Sequence, residues 1–379
     1  MIPEVIQEKT VTGIAYGAFR NCDMKAVIFP KTMERVTNGA FRDCAMESVT
    51  LFDNIISIQN DCFSGCQNLR TLYINAIEAP YGYDYRRESC YADKVDLLIN
   101  AQGQRKIVCY GGCSMWYNLD GSQMVDAFGE NYAIINLGLN GTVNSAVQMQ
   151  ILGAFLEDGD ILLHTPELSS KTQLLIERNM GEDDDKLWCG LEYNYDLLSF
   201  VDLRTVSGVL NSFCNYLDMK NSETTYAQYY TDSEGRHYWD ELGCIPFILE
   251  GTEEHLEDVV YLNPEYINNT VITRLKGYYD GYQERGVRVY ISYACVNMDV
   301  VPESQRDNVP VMDVLFRQAI EEMNGPVLIS SLEDYLYQSS DFYDTNYHLQ
   351  TDAAVKNTAL WLRDLQAQME LDGLWEEKP

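Results

Sequence analysis

The feature that most narrows what this chain can fold into is a repeat of 22 residues near its start. The segments GAFRNC (17–22), GAFRDC (39–44) and DCFSGC (61–66) set Phe19, Phe41 and Phe63 at a constant 22-residue step, and Cys22, Cys44 and Cys66 keep it. An apolar alternation follows each cysteine: Met24, Val27 and Phe29, then Met46, Val49 and Leu51, then Leu69, Leu72 and Ile74 with one residue inserted. Each period reads as a turn carrying a buried Phe and Cys, followed by a short strand. A unit of that size cannot bury its own apolar face, so the units must stack into a solenoid with a continuous core.

The motif G-A-F-x-x-C followed by a V-x-[FL] strand resembles the BspA-like leucine-rich repeats of bacterial proteins, over about residues 8–76. That resemblance implies a small three-repeat solenoid, residues 1–76, which offers a surface to a protein partner or serves as a platform for the next domain. Residues 77–94 carry Tyr81, Tyr83, Tyr85, Tyr91 and the pair Arg86-Arg87; they are too irregular for a solenoid turn and read as an interdomain linker.

Charge removes two classes of partner. Lys+Arg is 27 against Asp+Glu 58, a formal net charge of -31, so a nucleic-acid backbone or an anionic membrane surface is repelled. No apolar run reaches bilayer length, and the start MIPEVIQEKT lacks the pattern of a signal peptide. The expected compartment is the cytoplasm, or the exterior if the chain has been trimmed from a longer one. Eleven cysteines with no C-x-x-C pair, and four histidines, argue against a zinc site of familiar spacing or a tidy disulfide framework and for reduced, mostly buried thiols. No metal or organic cofactor is implied.

Residues 95–379 alternate strands and helices. Strands are expected at 106–110, 132–139, 160–164, 287–296 and 327–330. A helix capped by Asn144 carries Val147, Ile151, Ala154 and Phe155 on one face and ends before Gly159; a second carries Ile272, Leu275, Tyr279 and Tyr282 and stops at Gly286. Two more span 311–323 and 352–369. This rhythm predicts an α/β fold with a largely parallel sheet between two layers of helices. Residues 171–269 break it, with an acidic run (Glu182, Asp183, Asp184, Asp185) read as a solvated loop and several aromatic patches. Insertions of that length form a lid or a wall of the cleft.

The chemistry is expected where the first strand, KIVCY, meets Gly111-Gly112. The pair permits a sharp turn with positive φ, and open α/β sheets bind ligands at the carboxyl ends of their strands. Cys113 and Ser114 follow at once. Far along the chain, Asp344 precedes His348 by four residues, just ahead of the last helix. A carboxylate one turn from an imidazole can hold its Nδ1–H and leave Nε2 to take a proton from a nucleophile. The plain alternative is a histidine that caps the helix. His164, in a buried strand, is a core or cleft-floor residue, and His237 and His255 lie in the insertion.

A Gly-x-Ser block after the first strand and an Asp-x-x-x-His block near the end resemble the SGNH (GDSL-like) hydrolase superfamily, over about 92–370 without the insertion. That resemblance implies a three-layer, flavodoxin-like fold and an ester hydrolase or O-acyltransferase acting on an acylated carbohydrate or other small ester. The nucleophile is Cys113 when aligned by strand length, or Ser114 if the turn shifts by one residue; His348 is base and then acid, and Asp344 orients it. The segment IINLGLNG (134–141) resembles the second block, so Gly141, with the backbone about Gly112 and the nucleophile, would supply oxyanion N–H groups. DGDILLHTPELSS stands where the third block belongs, bringing His164 and Glu167 toward the cleft. Thr165, Pro166 and Glu167 stand there in place of the usual asparagine donor, whose removal typically costs roughly 100- to 1000-fold in turnover. Two other readings follow from the same residues: an SGNH-fold binding or scaffold protein that has lost catalysis, and a surface adhesin carried by the repeats.

Overall fold

The 22-residue step becomes a register. In the computed structural model, which describes residues 1–52, 55, 57–59, 61–74, 90–139, 145–169, 188, 191, 195–201, 213, 239–246, 248–251 and 259–375, strands β1 (Val5–Ile6) and β2 (Lys9–Thr10) form an antiparallel pair. Six short strands follow: β3 (Gly13–Ile14), β4 (Ala26–Ile28), β5 (Arg35–Val36), β6 (Ser48–Leu51), β7 (Ser57–Ile58) and β8 (Thr71–Ile74). They make two parallel ladders, β3-β5-β7 and β4-β6-β8. Ile14 faces Val36, Val36 faces Ile58 and Val27 faces Val49, each one period on, while Val49 faces Leu72 across the inserted residue. The alternation after each cysteine anticipates β4, β6 and β8; strands β3, β5 and β7 are two residues long and show no alternation to read.

Two positions in every turn are left-handed. Gly17, Gly39 and Asp61 have φ of 61°, 63° and 58°, and Asn21, Asp43 and Gly65 have 59°, 60° and 77°. Only Gly, Asn and Asp adopt that region readily, and the sequence uses only these three types at both positions. The turns then stack their rings: Phe19 lies on Phe41 at 5.2 Å between centroids and 7° between planes, and Phe41 on Phe63 at 5.4 Å and 4°. The second and third thiols are tied to the preceding period, Cys44 Sγ donating to Phe19 O at 2.9 Å and Cys66 Sγ to Phe41 O at 3.1 Å. Burial pushes the Cys66 thiol up to about 11.

The chain divides into two compact units, Met1–Ala92 with Arg178–Thr231, and Asp93–Glu177 with Asp232–Pro379. The expected insertion, 171–269, is thus shared between them, Arg178–Thr231 going with the first. Residues 77–89 of the expected linker, the acidic run 182–185, Gly141 and Asn144 lie outside the described residues.

The second unit holds a five-stranded, all-parallel sheet. Helix α1 (Cys90–Asn100) leads into β9 (Lys106–Gly111), α2 (Cys113–Asn118), α3 (Gly121–Phe128), β10 (Ala133–Gly138), α4 (Ser145–Phe155) and β11 (Ile161–Thr165). After the insertion come α5 (Asn269–Gln283), β12 (Arg288–Ile291), β13 (Val296–Asn297), α6 (Val309–Glu321), β14 (Val327–Leu328), β15 (Leu336–Tyr337) and α7 (Thr351–Leu371). The sheet order is β10-β9-β11-β12-β14, which in chain order reads 2-1-3-4-5. The strand expected over 287–296 is shorter. Its neighbour β14 has two residues, so the ladder ends at Ile291; Ser292 bonds Ser330 side chain to side chain at 2.7 Å, and β13 pairs with β15 instead. Helix α5 begins where Asn268 accepts from the Thr270 and Val271 N–H groups, and it buries Val271, Leu275, Tyr279 and Tyr282, so Val271 takes the place expected of Ile272. Among the described residues no helix is long and apolar enough to cross a membrane.

Candidate functional site

Strand β9 delivers the chain to α2 through its two glycines, for a different reason from the one expected. Gly112 has φ −76° and ψ −157°, and Gly111 is not among the glycines with positive φ. Space is what both supply. A Cβ on Gly111 would stand 2.7 Å from Thr165 Oγ1 and 2.8 Å from Met115 Cβ, and one on Gly112 would run into the Glu167 carboxylate. The neighbouring strand is fitted to α2 in the same way, because a Cβ on Gly138 would overlap the Trp116 N–H. Asn136 completes the seat: its Nδ2 donates to Met115 O and Trp116 O, each at 3.2 Å, and its Oδ1 accepts from Gly138 N at 2.8 Å.

The two nucleophile candidates separate here. Ser114 is fully buried, and its Oγ donates to Glu167 Oε1 at 2.8 Å, with its N–H 3.4 Å from the same oxygen. Cys113, the first residue of α2, is half-buried and takes part in no disulfide. Glu167 reaches this turn because Thr165 is the register partner of Gly111, which carries the chain after β11 past the end of β9.

His348 arrives on a hairpin. Phe342 and Leu349 form an antiparallel bridge, Tyr343 N donates to His348 O at 2.8 Å, and Gln350 N donates to Asp341 O at 2.8 Å. This closed loop, not a helical turn, sets Asp344 Oδ1 2.6 Å from His348 Nδ1. Nor does the histidine cap the helix, since the N-cap of α7 is Gln350. Its ring lies flat on Tyr117, 3.5 Å between centroids and 5° between planes. Tyr117 is four residues after Cys113 in α2, and residues four apart share a helix face. The imidazole therefore packs against the face that begins with Cys113.

Asn118, which sequence reasoning passed over, holds that arrangement. Fully buried at the end of α2, it donates through Nδ2 to Tyr347 O at 2.9 Å and accepts at Oδ1 from Leu349 N at 2.8 Å, gripping the peptides on both sides of His348. Its Nδ2 is also 3.0 Å from Cys295 Sγ. The available signal was an asparagine closing an apolar helix, since a buried amide there must find partners. Tyr117, beside it, was equally unmarked.

Glu167 lines a partly open pocket of about 140 Å³, whose walls also include Tyr261, Tyr266, Tyr293, Cys295 and Tyr347. Burial first, and the Glu167 charge after it, hold the Cys295 thiol above the ordinary range. His164 does not line this pocket. It is a core residue, 4% exposed, with Nδ1 2.6 Å from the Tyr279 hydroxyl on α5 and its ring packed on Tyr110; burial lowers it to about 3 and keeps it neutral. Of the two places expected for His164, core and cleft floor, it takes the core: alternate residues of a strand face opposite sides, and this one points at α5.

The stacked parallel ladders of the first unit define a leucine-rich-repeat solenoid. More narrowly, residues 2–89 match the BspA type leucine rich repeat region, in six copies. The match runs past both ends of the 8–76 span and counts more copies than the three marked by Phe19, Phe41 and Phe63. No curated protein matches the chain.

Proposed function

We propose that the second unit is a flavodoxin-like, SGNH-type ester hydrolase or O-acyltransferase that uses Cys113 as nucleophile, His348 as base and then acid, and Asp344 to orient it. The observation that carries this reading is the 2.6 Å contact of Asp344 with His348 Nδ1 while the imidazole lies on Tyr117, on the helix that Cys113 begins. The sheet order supports it as well. In a 2-1-3-4-5 sheet the ligand crevice opens between the first and third strands, here β9 and β11, and Cys113 and Glu167 leave from those two ends.

With Nδ1–H donated to Asp344, Nε2 takes the Cys113 proton and the sulfur attacks the ester carbonyl. Nε2 returns the proton to the departing alkoxide, leaving a thioester. Water, or an acceptor hydroxyl, then gives its proton to Nε2 and attacks the thioester; the acid or new ester leaves and the thiol is restored. The substrate would be an acylated carbohydrate or other small ester, and the repeats would offer a surface to a protein partner.

One observation favours a second reading, a binding protein without catalysis. Thr165, Pro166 and Glu167 stand where the resemblance expects a neutral oxyanion donor, and the Glu167 carboxylate takes up the Ser114 N–H and O–H. Negative charge beside a developing oxyanion opposes the reaction.

Turnover of a short-chain aryl acetate under reducing conditions decides between them. Cys113→Ala and His348→Ala are expected to lose about 100-fold or more while Ser114→Ala keeps most of its activity. Undiminished turnover in His348→Ala overturns the hydrolase reading. If the wild type is inert and Cys113 is alkylated no faster than the buried thiols, the binding reading replaces it.

A further inference from the structure

The pocket beside Glu167 has an unusual balance of chemistry. Among the described residues that line it there is no Lys, Arg or His; it has one carboxylate, Glu167, and four tyrosines, Tyr261, Tyr266, Tyr293 and Tyr347. The remaining walls are mostly aliphatic. Its single carboxylate stands against a small, largely apolar space, and aromatic side chains attract cations through the electron-rich ring face. The volume, about 140 Å³, is close to that of a cavity that accommodates benzene, so it takes a group of about six heavy atoms. From these observations we infer that the pocket binds a small organic cation, a primary or quaternary ammonium group, with Glu167 as counter-charge and the tyrosines as its aromatic wall.

Placement gives the inference its consequence. Glu167 bonds Ser114, the residue after Cys113, and Tyr347 precedes His348, so the bound cation lies beside both halves of the site. If the hydrolase reading holds, on which this one step rests, the ester carries its ammonium group a few atoms from the scissile carbonyl. The Glu167 carboxylate then has a purpose: it selects substrate by charge. Binding of the cation itself needs no catalysis.

The test is calorimetric titration of the whole chain as Cys113→Ala, with choline and with its neutral isostere 3,3-dimethylbutan-1-ol. The cation is expected to bind saturably and about tenfold more tightly than the alcohol. Glu167→Gln should erase that preference. Because Glu167 also bonds Ser114, a second variant guards against misfolding: Tyr266→Leu, in the pocket wall, should weaken the cation severalfold more than the alcohol. Equal affinity for cation and alcohol overturns the proposal in favour of a purely apolar pocket, and no saturable binding of either overturns it altogether. Since nothing is turned over, failure of ester hydrolysis leaves this result standing, and failure here leaves hydrolysis to its own assay.

Discussion

The repeats and the sheet unit bring residues together by opposite means. In the solenoid every contact that matters is one period away: Phe41 stacks on Phe19 and Phe63, and Val36 pairs with Ile14 and Ile58. In the second unit, Asn118 reaches Leu349 across 231 positions and Ser114 reaches Glu167 across 53. Short-range architecture is a sum of neighbour terms and leaves a period in the sequence. Long-range architecture leaves only isolated residues whose partners are unnamed until the chain folds.

The largest expected effect breaks the repeat side of this contrast. Phe41 is fully buried between two stacked rings, and Phe41→Ala should cost about 3–5 kcal/mol. Hydrogen exchange should show the loss confined to the neighbouring periods, with Phe19 N and Asp43 N among the amides that lose protection; a loss reaching the 343–350 loop equally would refute the neighbour-only description.

A smaller change tests the long-range side. Asn118→Ala strands the Leu349 N–H and the Tyr347 carbonyl, worth about 1–3 kcal/mol. The measurement is exchange at Leu349 together with aryl acetate turnover. Both should respond in this variant while the repeats keep their protection, and an unmoved Leu349 amide would remove Asn118 from its positioning role.

The smallest effect is graded with pH. His164 is lowered to about 3 in the folded chain and titrates near 6.5 when unfolded, so below about 6.5 the unfolded state takes up a proton that the folded state refuses. Its contribution is complete above that pH and falls by about 1.4 kcal/mol per unit as the pH drops toward 3. Urea unfolding at pH 7 and pH 5 should therefore show wild type losing about 2 kcal/mol more than His164→Asn. Equal losses would mean that the imidazole accepts its proton in place.

Legibility followed the same divide. Every strand of the sheet was visible as an apolar run, and β9, β10 and β11 end within two residues of expectation, because a strand buried on both faces needs continuous apolar sequence. β12 ended early because its length depends on its neighbour β14, not on its own residues. Gly111 and Gly112 were legible as necessary glycines, yet the reason was packing: nothing local says that a carboxylate 55 positions after Gly112 will lie against its α-carbon. His164 and His348 look alike as sequence. One meets a tyrosine in the core and the other a carboxylate on a half-buried hairpin.

The sequence by itself determined the solenoid and its 22-residue register, since these depend on side-chain type at fixed spacing. It also determined that a strand ends at Gly111-Gly112 with a thiol and a hydroxyl behind it, and that Asp344 precedes His348 by four residues. Tertiary structure alone decided which of Cys113 and Ser114 stays accessible, that Asn118 grips the histidine loop, and that Glu167 faces a tyrosine-lined pocket. Those outcomes depend on which strand ends lie side by side, and the 2-1-3-4-5 order that puts β9 next to β11 comes from packing the whole sheet and its helices at once.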